Sequence, residues 1–187
     1  MPSLGGRHLF ESEQLEKNIS DIYNQHYLDV YKFLICFTGN QHDAEDMTQE
    51  VFIRVLKQLS SFNHTSNMKT WIFSIAKHIA IDHYRRNKFT SIFKEGFFHQ
   101  IRSNQKPSNE VVEENELKKT VHMAISKLKP TFRAVVIMRG INEFSIKETS
   151  NILGCSESKV KVDYHRALKE LKTKLHVDAS EVMKNAK

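Results

Sequence analysis

The segment Ser145–Leu171, SIKETSNILGCSESKVKVDYHRALKEL, decides the fold of the C-terminal half of the chain. Ser145 is followed three residues later by Glu148, the pattern of a capping box that begins a short helix. Gly154 comes next and can adopt the left-handed backbone conformation that a tight turn requires. Ser156 is then placed to cap a second helix. This order of helix, glycine turn and helix predicts a helix-turn-helix.

The two helices of this motif each have an apolar face and an outer face. The predicted inward positions are Ile146, Ser150 and Leu153 in the first helix and Val160, Tyr164, Ala167, Leu168 and Leu171 in the second. The outer face of the second helix carries hydroxyls and cations, namely Ser158, Lys159, Lys161, Val162, His165 and Arg166. Such side chains can reach phosphates and guanine edges, so this face predicts DNA binding in the major groove. A helical hairpin with a solvated basic face is the alternative.

Length and composition extend the helical interpretation to the whole chain. The 187 residues are 40% hydrophobic and include only 6 glycines and 3 prolines, and long segments repeat apolar residues at helical spacing. We therefore predict an all-α fold of two small helical domains joined by a flexible linker. The expected divisions are a flexible N-terminus at 1–19, a first domain at 20–90, a linker at 91–112, a second domain at 113–176 and a flexible tail at 177–187.

Cysteine content and hydropathy exclude several classes of protein. Cys36 and Cys155 are far apart and form no CxxC pair, which argues against a disulfide framework or a zinc finger. The apolar runs are too short to cross a bilayer, and no signal-peptide pattern precedes them. We expect a cytoplasmic protein with no direct membrane insertion, no metal and no cofactor.

Charge alternates along the chain. Residues 61–108 contain eight Lys/Arg against two Asp/Glu, and residues 117–176 contain thirteen against five. Residues 1–60 are acidic, with nine Asp/Glu against five Lys/Arg. Two basic segments predict two contacts with a polyanion, whereas the acidic segment suits a different partner.

A helix expected over residues 43–59, DAEDMTQEVFIRVLKQL, has an unusually wide apolar surface. Its inward stripe is Ala44, Met47, Thr48, Val51 and Val55. Phe52, Ile53 and Leu56 widen that surface beside the polar Asp46, Gln49 and Glu50. A mixed apolar and acidic face suits a protein partner with basic residues, although a broad core face is an equal alternative.

The next predicted helix, about 69–88, combines a core face with a basic face. Its core positions are Trp71, Ile72, Ile75, Ala76, Ile79 and Ala80. The second face groups Lys77, His78, Ile81, Arg85 and Lys88. Cations interleaved with flat or polar side chains suit single-stranded DNA, whose bases stack and whose phosphates attract cations.

Taken in order, the segments DAEDMTQEVFIRVL, TWIFSIAKHIAIDHYRR and SIKETSNILGCSESKVKVDYHRALKEL resemble the extracytoplasmic function (ECF) sigma factors, the small two-domain members of the bacterial sigma-70 family. The resemblance covers about residues 20–175. It implies that residues 20–90 form region 2 and residues 113–176 form region 4. It also implies a non-enzymatic subunit that binds RNA polymerase core, recognises the −10 and −35 promoter elements and helps to melt DNA.

The resemblance assigns roles to particular residues. Those matching the surface that docks on the β′ coiled coil are Asp46, Gln49, Glu50 and Ile53. Those matching the −10 reader, which captures an extruded non-template base, are Phe62, Asn63, His64, Lys69, Trp71, Lys77, His78, Arg85 and Arg86. Those matching the −35 reader are Arg139, Ser156, Ser158, Lys159, Lys161, Val162, His165 and Arg166. The implied partners are polymerase core (the β′ coiled coil and the β flap), promoter DNA and an anti-sigma factor.

The sequence departs from the family pattern at three positions of these segments. His78 replaces an asparagine that often holds the flipped base, Ser150 replaces an alanine in the turn, and Lys159 replaces a threonine at the start of the recognition helix. A stand-alone helix-turn-helix regulator is the alternative function, but it leaves the first ninety residues unexplained and no dimer helix is evident. No HExxH, His/Cys cluster or nucleophile motif supports an enzyme.

Overall fold

The computed structural model describes the backbone of residues 4–62, 66–95 and 120–185, and side chains within 19–62, 66–88 and 120–175. Throughout these ranges the regular structure is helical and no strand is present. Two helical domains lie on either side of the chain's central segment, and the second contains the helix-turn-helix. The predicted all-α, two-domain fold class is confirmed.

The first domain is built from three long helices. These are α1 (Leu4–Thr38), α2 (Gln41–Gln58) and α3 (Met68–Glu95), with a single 3-10 turn at Leu59–Ser61. Gly39, with φ of +71°, ends α1 in the left-handed conformation. Asn40 then caps α2, its side-chain oxygen accepting a hydrogen bond from the Asp43 backbone N–H at 3.0 Å.

The long helices extend further than apolar periodicity predicts. α1 begins at Leu4 rather than near residue 20, α3 continues to Glu95 rather than to about 88, and the last helix continues to Asn185 rather than to about 176. None of these extensions contains proline, and only α1 contains glycine. A helix can continue beyond its apolar stripe where no proline interrupts it, so apolar periodicity underestimates its length.

The core of the first domain lies where α1, α2 and α3 meet. Phe33 packs edge-on against Phe73, with ring centroids 5.7 Å apart. Phe52 is buried and its ring lies 4.8 Å from that of Tyr23 on α1, so this residue belongs to a broad core face, the alternative that the sequence left open. Ile53 is exposed, as predicted, because it lies about 100° further around the helix.

The second domain contains the helical residues 120–126 (α4), then α5 (Pro130–Gly140), α6 (Ile146–Leu153) and α7 (Glu157–Asn185). Pro130 is at the start of α5, where its missing N–H costs nothing. Ile152 and Val160 are fully buried between α6 and α7. Leu168, predicted to face inward, is 41% exposed because Val160, Tyr164, Ala167 and Leu171 already form the buried stripe.

The two domains also contact each other, which the sequence did not predict. α6 packs against α3 and α5 packs against α1. Phe144, in the turn before α6, places its ring edge-on to Phe73 with centroids 4.6 Å apart. Arg133 on α5 donates a hydrogen bond to the Phe37 carbonyl of α1 at 2.8 Å. One continuous apolar cluster therefore runs through both domains.

Candidate nucleic-acid interface

The helix-turn-helix forms with the capping geometry that the sequence predicts. The Glu148 N–H donates to the Ser145 hydroxyl at 3.1 Å, and the Ser145 N–H donates to the Glu148 carboxylate at 2.8 Å. Hydrogen bonds from the Ser145 side chain and then from its backbone lower the pKa of Glu148. Gly154 adopts φ of +67° and ψ of +41°, and the Ser156 hydroxyl accepts from the Lys159 N–H at 3.2 Å.

This motif presents one face of α7 to solvent. Val160 and Ala167 are fully buried against α6 and α5, so the opposite side of α7 points outward. The predicted DNA-contacting residues on that side are all exposed: Ser158, Lys159, Lys161, Val162, His165 and Arg166. The arrangement can place cations and a hydroxyl in a DNA major groove without disturbing the domain core.

Two members of the predicted −35 group also have structural partners. Lys159 Nζ lies 2.6 Å from the carboxylate of Asp163, which is buried. Arg139 is half-buried, donates to the Phe144 carbonyl and lies over the Tyr164 ring, 5.7 Å from its centroid. Arg139 therefore helps to hold the turn between α5 and α6.

The predicted polymerase-docking residues lie together along the outer face of α2. Asp46 and Gln49 are exposed, and Asp46 lies 3.6 Å from the ring of the exposed His42. Glu50 forms an ion pair with Arg54 one turn later. Ile53 is 50% exposed and continues this face. An acidic edge thus borders an unpartnered apolar side chain, the combination that a basic, partly apolar protein surface would contact.

An apolar groove lies beside this face. It has a cavity volume of about 210 Å³ and lies between the middle of α1 and the C-terminal half of α2. Its lining includes Ile22, Tyr23 and Leu56. The groove extends the apolar part of the α2 surface toward α1.

The predicted −10 residues divide into two groups by position. Phe62 and Trp71 bring their rings within 5.0 Å at the start of α3, forming an aromatic platform. His78, Arg85 and Arg86 are exposed along α3. Asn63 and His64 lie outside the described residues.

Two lysines of the predicted −10 group have partners within the protein. Lys69 forms an ion pair with Asp29 at 2.6 Å and lies 5.2 Å from the centroid of the Phe144 ring. Lys77 is only 8% exposed, with its Nζ 2.9 Å from His78 Nε2, and burial lowers its pKa. A buried lysine cannot reach a phosphate unless its surroundings move.

Metal and membrane sites are lacking in the parts of the chain that the structure describes. No group of His, Cys, Asp and Glu there is arranged to hold a metal ion. None of the helices described is both long and apolar enough to span a membrane. Cys36 and Cys155 are free thiols.

Comparison with known proteins identifies both domains. Residues 22–90 match the model of sigma-70 region 2, and residues 118–171 match that of sigma-70 region 4. The chain is 34% identical over 173 residues to the ECF RNA polymerase sigma factor SigX of Bacillus subtilis, covering 90% of this chain and 89% of SigX.

Two solved structures share the fold. One is the sigma factor RpoE in complex with the anti-sigma factor NepR from Bartonella quintana, with a TM-score of 0.68, 23% identity and coverage of 87% of this chain and 99% of RpoE. The other is CnrH in complex with the cytosolic domain of CnrY, with a TM-score of 0.66 and 20% identity. The match covers 87% of this chain and 90% of the chain in that structure. The SigX relationship and the two matched regions show that the chain belongs to the ECF RNA polymerase sigma factors of the sigma-70 family, which are promoter-recognising transcription initiation factors.

Proposed function

We propose that this sigma factor directs RNA polymerase core to promoters by using three separate surfaces. The outer face of α7 reads the −35 element, the face of α3 with its preceding loop reads and melts the −10 element, and the α2 face docks on the polymerase β′ coiled coil. Region 4 also contacts the polymerase β flap. The protein itself catalyses no bond chemistry and needs no cofactor.

The observation that carries this proposal is the exposed, cationic face of α7. Its cations and hydroxyl stand opposite a fully buried stripe, on a helix whose start is fixed by the Gly154 turn and the Ser156 cap. Arg166 and Lys161 are exposed on this face, where they can donate to guanine acceptors. The α7 face therefore supplies the sequence preference of the −35 contact.

Docking on polymerase uses the exposed acidic and apolar side chains of α2. Asp46, Gln49 and Glu50 attract basic side chains of the β′ coiled coil, while Ile53 becomes buried on contact. Charges at such an edge mainly steer and orient association, and the apolar side chain contributes the burial energy. Polymerase thereby holds the sigma factor where both promoter elements are within reach.

Melting of the −10 element requires compensation for lost base stacking, about 1.4 kcal/mol for each base-pair step. The Phe62–Trp71 platform offers an aromatic surface for an extruded base, and stacking of a base on an aromatic side chain contributes about 1–3 kcal/mol. Asn63 and His64 directly follow Phe62 in the sequence, and His78 comes two turns after Trp71 on α3. Arg85 and Arg86 on α3 attract the phosphates of the displaced strand.

An anti-sigma factor and a cytoplasmic location complete the proposal. RpoE, which shares this fold, was solved in complex with the anti-sigma factor NepR, and CnrH was solved in complex with the cytosolic domain of CnrY. A partner of this type would compete with polymerase for the α2 face, whose apolar side chains are already exposed.

Run-off transcription tests the proposal. Purified core polymerase is mixed with the full chain on a library of promoter fragments, with core alone as the control. Initiation that depends on the chain, at fragments sharing a −10/−35 pair, is the expected result. Absence of initiation, together with tight binding of the free chain to a palindrome, would favour a stand-alone regulator instead.

A further inference from the structure

An apolar side chain lies in the middle of the exposed, cationic face of α7. Val162 is 45% exposed, although the exposed residues next to it on this face are polar or charged. Among the α7 side chains that the structure describes, only Val162 and Leu168 are both large, apolar and exposed. Val160 and Ala167 are fully buried and already complete the packing of α7 at this point. The core of the second domain therefore does not need Val162.

Helical geometry places Val162 close to the centre of this face. Successive residues of an α-helix are about 100° apart around its axis. Val162 therefore lies about 160° around the helix from Val160 and about 140° from Ala167, the two fully buried residues. A side chain almost opposite the buried stripe meets whatever this face contacts. When the face enters a major groove, Val162 comes against the edges of the base pairs.

Val162 is also the middle member of a row of exposed residues. Ser158 lies four residues before it and Arg166 four residues after it, so the three side chains follow one another at intervals of about one turn. Each interval rises about 6 Å along the helix, which is about two base pairs at 3.4 Å for each. A base pair that contacts Val162 is therefore about two base pairs away from the one that contacts Arg166.

The nearest cation on one side of Val162 is held away from the centre of the face. Lys159 lies three residues earlier and is long enough to extend over the same surface. Its Nζ is instead 2.6 Å from the carboxylate of Asp163, which is buried. Asp163 lies about 100° around the helix from Val162, toward the core. This ion pair draws the ammonium group of Lys159 aside and leaves the methyl groups of Val162 accessible.

A valine can distinguish base pairs only by apolar contact. All base edges in the major groove carry hydrogen-bonding groups, and thymine alone adds a C5-methyl group. Contact between this methyl group and Val162 removes apolar surface of both from water. Against guanine or cytosine, the same side chain would exclude water from polar groups without replacing their hydrogen bonds. Branching at Cβ restricts valine in a helix to one strongly preferred rotamer, so its methyl groups are positioned before DNA binds.

We propose that Val162 is a specificity-determining residue of the −35 contact, and that its side chain packs against the C5-methyl group of a thymine about two base pairs from the pair that Arg166 contacts. This inference rests on the proposed −35 role of α7. It names one base of the −35 element and the chemical group by which that base is selected. Arg166 selects its base through hydrogen bonds, whereas Val162 selects thymine through apolar contact.

Replacement of single thymines by uracil tests the proposal, because uracil pairs with adenine as thymine does and lacks only the methyl group. A promoter fragment selected by run-off transcription is prepared with uracil at each thymine of the −35 element in turn, on either strand. Each uracil fragment competes with the thymine fragment for a limiting amount of core polymerase with the full chain. A short barcode in the transcribed region identifies the products, which are counted by sequencing.

Three proteins are compared in this assay: wild type, Val162→Ala and Leu168→Ala. Leu168 is the matched control because it is the other exposed apolar side chain of α7 and lies about 120° around the helix from Val162. Alanine favours helix more than valine does, so the Val162→Ala variant keeps its recognition helix. Circular dichroism and thermal unfolding verify that both variants are folded.

With wild type, we expect uracil at one position to lower relative initiation about fourfold, which corresponds to about 0.8 kcal/mol for one buried carbon. This position should lie about two base pairs from the one at which Arg166→Ala relaxes base preference. Val162→Ala should reduce the uracil effect to less than about twofold, because the methyl groups that meet the thymine are removed. Leu168→Ala should retain the full effect.

Three results would overturn the proposal. The first is equal initiation from uracil and thymine fragments at every position with wild type. The second is an unchanged uracil effect in Val162→Ala, and the third is a −35 element that contains no thymine on either strand. Failure of the proposed function would be distinguishable from these results, because scrambling the whole −35 element would then leave initiation unchanged.

Discussion

Replacement of Arg166 by alanine tests whether α7 reads base pairs. From Ser158 to Arg166 the exposed face of α7 rises about 12 Å, eight steps of 1.5 Å each. That length matches about three or four base pairs. Arg166 lies near the far end of this face and is exposed, so it can form a bidentate contact with guanine. The variant should lose about 1–3 kcal/mol of discrimination at one base pair, which is about 5-fold to 150-fold in affinity.

Lys159→Ala provides a comparison on the same helix, at a cation of the predicted −35 group that has a partner within the protein. Lys159 is paired with the buried carboxylate of Asp163, so its removal leaves that carboxylate without its cation. We expect Lys159→Ala to cost about 1 kcal/mol of stability and several degrees in Tm, with base preference retained. Arg166→Ala should leave Tm unchanged and alter base preference.

The assay is run-off transcription by reconstituted polymerase on a set of promoters with every single substitution in the −35 element. Wild type, Arg166→Ala and Lys159→Ala are compared, and initiation at each template is counted by sequencing. Relaxed preference at one position for Arg166→Ala alone would support base reading. An equal loss on all templates would refute it and make Arg166 a phosphate contact.

Two further predictions concern docking and stability. Ile53→Ala should weaken binding to core polymerase about fivefold, because burial of the exposed half of this side chain contributes about 1 kcal/mol. Leu168→Ala should have no effect in the same titration. Unchanged affinity for Ile53→Ala would contradict docking through α2. Ser145→Ala should lower the free energy of unfolding by about 1 kcal/mol at pH 7, as measured by thermal unfolding. Because the Ser145 hydrogen bonds lower the pKa of Glu148 in the folded state, part of this cost is present above pH 4.5 and is lost as the pH falls through that lowered pKa. If the difference in unfolding free energy between wild type and Ser145→Ala does not decrease on acidification, the capping box does not contribute in this way.

Local signals in the sequence predicted the helix-turn-helix in detail. The capping box of Ser145 and Glu148, the left-handed Gly154 and the Ser156 cap all depend on residues within a few positions of one another. Such short-range chemistry can be read without knowledge of the rest of the fold. The exposed Ile53 could also be predicted, because a second apolar row on α2 exceeded what one buried stripe requires.

Features that depend on distant residues could not be predicted. Arg133 and Phe37 are 96 positions apart, and nothing near either one indicates their hydrogen bond. Phe144 lies four residues after the end of α5, and nothing in its local sequence indicates that it packs against Phe73 of the other domain. For the same reason Lys77 was predicted on a DNA-facing surface, whereas in this arrangement it is buried. Charge pattern identifies a basic helix, but only tertiary packing decides which of its cations remain accessible.

Initiation on four matched templates shows directly whether the chain selects promoters through both elements. A fragment selected in the run-off assay is compared with versions in which the −35 element, the −10 element or both are scrambled. We expect initiation by core polymerase with the full chain to fall when either element is scrambled and to be lost when both are. Initiation that is indifferent to both elements, or that proceeds equally without the chain, would contradict promoter recognition by this protein.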